Sequence, residues 1–96
     1  MLKNFVATTV ENSDVTVCTA ASGTELSIMD IMINGGENGG DVTLNFSTGF
    51  SAGFSVDVED TITLDDKITL PTGTSLTANA TASGIKVMVS AAELAV

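Results

Sequence analysis

Thr24-Glu-Leu-Ser-Ile-Met-Asp-Ile-Met-Ile33 is the stretch whose reading decides the fold. As a helix it has a start signal, Ser22-x-x-Glu25 at capping-box spacing, and it aligns Leu26, Met29 and Ile33 on one face. As a strand it offers three β-branched isoleucines, Ile28, Ile31 and Ile33, in a near-continuous apolar run suited to a central strand covered on both faces. The strand is the preferred reading, with Met29, Met32 and Met88 as core filler. A helix over 24–33 remains the alternative.

Working outward, the same habit repeats. Apolar residues alternate with Thr, Ser and Asp in runs of four to eight, the period of half-buried strands. Strands are expected at Phe5–Val10, Val15–Thr19, Glu25–Ile33, Asp41–Ser47, Phe54–Val58, Thr61–Leu64, Lys67–Leu70, Ser75–Ala80 and Ile85–Ser90, with a short last one near Glu93–Val96. Turn chemistry separates them at Asn12-Ser-Asp14, Ser22-Gly23, Asn34–Gly40, Asp65-Asp66, Pro71-Thr-Gly73 and Ser83-Gly84. Many short strands at this spacing predict an all-β, antiparallel β-sandwich of jelly-roll or immunoglobulin-like type.

The 96 residues fit one domain, 1–96, whose core is modest because a chain this short buries only about two-thirds of its unfolded surface. Cys18 is the lone cysteine, so no internal disulfide can add stability, and self-association is the economical route to more buried area. The net charge of −9 opposes phosphate-mediated contact with nucleic acid and adhesion to anionic membranes. No stretch approaches the ~20 apolar residues of a membrane span, and the start lacks a signal peptide's apolar core, so synthesis in the cytoplasm is expected. The sequons at Asn45 and Asn79 are read as coincidental on the same ground.

The inventory also narrows the chemistry. The chain has no His, Arg, Trp or Tyr, and its cations are Lys3, Lys67 and Lys86. A hydrolytic triad or a zinc site needs imidazole or clustered thiols, so no enzyme and no cofactor are expected. The acidic run Asp57-Val-Glu59-Asp60, with Asp65-Asp66, lacks EF-hand register and reads as solvated charge guarding strand edges. Cys18 has no base beside it and reads as a small core residue.

Three of the four phenylalanines fall in Phe46-Ser-Thr-Gly-Phe50-Ser-Ala-Gly-Phe54. In one extended strand they form an apolar row spaced by roughly 13 Å. If the chain turns between Gly49 and Gly53 instead, Phe46 and Phe54 fill the core from adjacent strands and Phe50 is an exposed anchor. The Asn34-Gly-Gly-Glu-Asn-Gly-Gly40 segment reads as a flexible hairpin connection, or as a tip reaching a neighbour through Asn34, Glu37 and Asn38. At the N-terminus, Phe5 and Val6 lie in a possible arm, residues 1–10, that adds a strand to a neighbour. Candidate interface residues are therefore Phe5, Val6, Asn34, Glu37, Asn38 and Phe50.

The succession Val15-Thr-Val-Cys-Thr-Ala-Ala-Ser-Gly23, Leu26–Asn34, Asp41-Val-Thr-Leu-Asn-Phe46, and then Lys67-Ile-Thr-Leu-Pro-Thr-Gly-Thr-Ser-Leu76 and Ala82–Glu93, resembles small virion accessory proteins of tailed bacteriophages. The likeness lies in turn grammar, and the chain departs from it by Ala-Ser-Gly where proline is common and by the phenylalanine segment. The resemblance implies a β-sandwich subunit, often a trimer, added to the outside of a capsid or to a fibre, and it carries no catalytic residue. The expected function is a capsid decoration (cement) protein, a homotrimer bound to the major capsid protein and located in the virion. The alternative is a tail or head-fibre component contacting the host surface.

Overall fold

The computed structural model describes residues 1–47, 49–65 and 67–96. Thr48 of the phenylalanine segment and Asp66 of the acidic turn signal lie outside the described residues. Nine strands follow one another: β1 (Leu2–Thr8), β2 (Asp14–Thr19), β3 (Thr24–Asn34), β4 (Gly40–Phe46), β5 (Ser51–Val56), β6 (Thr61–Leu64), β7 (Ile68–Leu70), β8 (Ser75–Ala80) and β9 (Lys86–Ala95). The described residues contain no helix. Residues 24–33 are therefore a strand, and the capping-box spacing at Ser22 is overridden by pairing of β3 with β9 on one side and β6 and β7 on the other.

Two antiparallel sheets pack face to face. One has the order β1-β9-β3-β6, with β7 also on β3, and the other has β2-β8-β4-β5. The pairs nest: β1 with β9, β2 with β8, β3 with β6 and β7, β4 with β5. An antiparallel ribbon wrapped in this way is the jelly-roll arrangement, so strand order resolves the choice left open between jelly-roll and immunoglobulin-like sandwiches. The closing segment is one strand rather than two, because β9 runs through Ala91 and Ala92 without a break in its pairing to β3.

The core lies between the sheets. Leu26, Ile28, Ile31 and Ile33 of β3 meet Val42, Leu44 and Phe46 of β4, Leu76 and Ala78 of β8, and Val87 and Val89 of β9. Two register slips shape it. One at Met29 lets both Ile28 and Ile31 face inward, and one at Val17 turns Val17 and Cys18 inward together. The first slip corrects the reading of the methionines as core filler. Met32 pairs with Met88 on the outer face of the five-stranded sheet, where Met32 is 36% exposed and Met29 and Met88 are half-buried.

The Asn34–Gly40 segment is not a hairpin connection, because it carries the chain from one sheet to the other. It is held by main-chain bonds: Gly35 donates to Asp60, Glu59 donates to Gly36, and Gly39 donates to Gly35. Glycine is required at the close approaches. A Cβ on Gly35 would overlap the Asp57 carbonyl oxygen, and one on Gly36, at φ 62°, would overlap that of Gly84.

An apolar cleft at the open side of the sandwich

The two sheets end differently on their two sides. On one side β1 and β2 pack beside each other. On the other, β5 ends one sheet and β6 with β7 ends the other, and these edge strands pack less closely on each other than β1 does on β2. Between them lies a cleft of about 90 Å³ lined by Ile31, Leu44, Phe46, Phe50, Ala52, Phe54, Leu64 and Ile68. That volume is well below the roughly 300 Å³ at which small-molecule sites begin, so it suits one or two apolar side chains.

The β4–β5 hairpin builds the aromatic wall. Phe46 donates its N–H to the Phe50 carbonyl at 2.8 Å, and Val42 stands opposite Phe54. The chain therefore reverses, as in the second reading of the phenylalanine segment, but between Phe46 and Ser51 rather than between Gly49 and Gly53: Ala52 and Gly53 already pair with β4, and β5 begins at Ser51 instead of Phe54. Phe46 is buried, Phe54 is half-buried against the core, and Phe50 is 60% exposed with its ring 5.8 Å from that of Phe46. All three rings line one cleft.

The other candidate residues fall elsewhere. Asn34, Glu37 and Asn38 line a polar groove of about 430 Å³ at one end of the sandwich, together with Thr8, Gly36, Glu59, Ser83, Gly84 and Lys86. The asparagine amides are engaged there: Asn34 donates to the Thr61 hydroxyl at 2.9 Å and Asn38 to the Ser83 carbonyl at 3.2 Å. Residues 2–8, the greater part of the expected arm, lie in β1 and pair along their length with β9. That pairing turns Phe5 towards the core and Val6 outward, 63% exposed and opposite Met88.

Val6, Met88 and Met32 thus form an apolar row across three strands of the outer face. The row was hidden in the sequence because it joins residues from both chain ends and the middle. Leu64 and Ile68 escaped notice as cleft residues for the same reason, since only tertiary structure sets them in one cleft with Phe50. The outer face of the other sheet is polar, with Thr19 bonded to Ser75, Asn79 to Asp14, Ser51 to Asn45 and Ser55 to Asp41.

Among known proteins, no family model matches the chain and no curated protein matches it.

Proposed function

We propose that this protein is a non-enzymatic structural subunit of a tailed-phage virion: a capsid decoration protein that forms a homotrimer and docks on the outer surface of the major capsid protein. One observation carries the docking half of this reading: an apolar cleft walled by three phenylalanines lies at an unclosed side of the sandwich. Burial of such a surface favours association at roughly 25 cal/mol for each Å² removed from water. The virion half rests on the turn grammar of the sequence. Small contacts suffice on a shell, since a trimer engaging several sites at once gains effective concentration.

Native mass spectrometry tests the self-association, with a species of three 9.7 kDa chains expected. A strict monomer at all concentrations refutes the trimer. Co-sedimentation with phage heads assembled without the protein tests the docking, and loss of binding in Phe50→Ser is expected. A second reading, a head- or tail-fibre component contacting the host, draws support from the polar groove at Asn34, Glu37 and Asn38. Binding to host cells but not to heads would favour it.

A further inference from the structure

Sheets normally protect their edges with charge, bulges, short strands or inward-pointing lysines. Three of the four edges here do so. β2 has a register slip at Val17, β6 and β7 are short, and β1 carries Lys3 on its inward side, paired with Glu93 at 3.0 Å. β5, Ser51-Ala-Gly-Phe-Ser-Val56, has none of these devices: six residues without charge or proline, in unbroken register with β4.

The direction of its free hydrogen-bonding groups follows from the ladder. Phe46 and Phe50 are a hydrogen-bonded pair, so the alternation of an antiparallel ladder makes Leu44 with Ala52, Val42 with Phe54 and Gly40 with Val56 hydrogen-bonded pairs as well. The bond from Thr81 N–H to the Asp41 carbonyl agrees, since it turns the other set of β4 groups towards β8. The N–H and C=O groups of Ser51, Gly53 and Ser55 therefore point away from β4, at the open edge. A strand added there would set alternate side chains over Phe50, Phe54, Leu64 and Ile68.

Charge selects among strands. Residues 51–70 carry Asp57, Glu59, Asp60, Asp65 and Asp66 against Lys67 alone, and Asp41 stands beside Ser55 with its carboxylate 2.7 Å from the Ser55 hydroxyl. A second copy of this acidic chain is a poor electrostatic match. We infer that the β5 edge and the adjoining cleft accept an extended segment of a basic partner protein, apolar at alternate positions and lysine- or arginine-bearing between them, as an added strand. This deepens the proposed docking function and rests on it, by naming the main-chain groups and the chemistry of the bound segment.

The probe is a synthetic peptide of about eight residues alternating Leu with Lys, long enough to span the edge. Three results are expected with the full chain: saturable binding that weakens with added NaCl, slowed amide exchange at Ser51, Gly53 and Ser55, and weaker binding of the Leu/Glu counterpart. Gly53→Pro removes one outward N–H without touching the bonds to β4, and is expected to weaken binding by at least about tenfold. Gly53→Ala keeps the N–H and places its methyl in open space, so it is expected to bind as the native chain does. The amide exchange of the unaltered protein decides the matter even if the proline variant fails to fold.

No binding up to about 1 mM, protection confined to β1, or equal affinity in folded Gly53→Pro each overturns the inference. So does protection of the β5 amides by concentration of the protein alone, which would make the occupant a second copy. Heads that bind the protein while the peptide does not would sink this inference and leave the docking function standing.

Discussion

Cys18 shows how a single residue is placed by a fault in a ladder. The β2–β8 register slips between Thr16 and Cys18, so the thiol turns into the core beside Val17. Burial pushes its pKa up from 9.0 to about 11, against a smaller opposing hydrogen bond involving the Leu76 backbone. The folded pKa lies above the unfolded one, so this group's stability contribution is complete below about pH 9 and is lost as pH rises towards 11. Within that window the unfolded thiol ionises and the folded one does not, a slope of about 1.4 kcal/mol per pH unit. The stability advantage of the native chain over Cys18→Ala should shrink by about 2–3 kcal/mol between pH 8.5 and 11 in urea titrations. A constant difference would contradict the burial.

At the scale of the element, β3 separates two kinds of apolar residue that look alike in sequence. Ile31 faces the core and Met32, its neighbour, faces out opposite Met88. Ile31→Ala should cost about 2–5 kcal/mol, whereas Met32→Thr should stay within about 0.5 kcal/mol of the native chain in dilute solution. Chemical denaturation measures both. Equal losses would mean that the outer row of Val6, Met88 and Met32 is covered in the dissolved protein, and a concentration-dependent midpoint would identify the cover as another copy.

For the molecule as a whole, charge is the dominant liability. Its −9 is spread over a body of 40 × 21 × 17 Å, and the one ion pair among the described residues, Lys3 with Glu93, has side chains 39% and 25% exposed. A pair so exposed contributes at most about 1 kcal/mol. Self-repulsion therefore outweighs it, and the thermal midpoint should rise as NaCl increases from about 20 to about 500 mM. A midpoint that falls over this range would show that specific pairs, not net repulsion, govern the electrostatics.

Strand content was legible from residues such as Val42-Thr-Leu44 and Ser75–Ala80, because alternation with period two is a local consequence of the pleat and needs no partner to be seen. Turn chemistry at Pro71-Thr-Gly73 and Ser83-Gly84 was equally local. Of the site, the sequence by itself offered Phe50 as an exposed aromatic under one of two readings of its segment, and the absence of imidazole and guanidinium narrowed the chemistry. Tertiary structure alone decided the rest. The slip at Met29 sends Met32 outward, the nested pairing makes a jelly roll, the β3–β4 connection crosses between sheets, and Leu64 and Ile68 complete the cleft with Phe46, Phe50 and Phe54. Each depends on which strand lies beside which, a long-range choice made by joint burial of many side chains, and the period of a single strand carries no record of it.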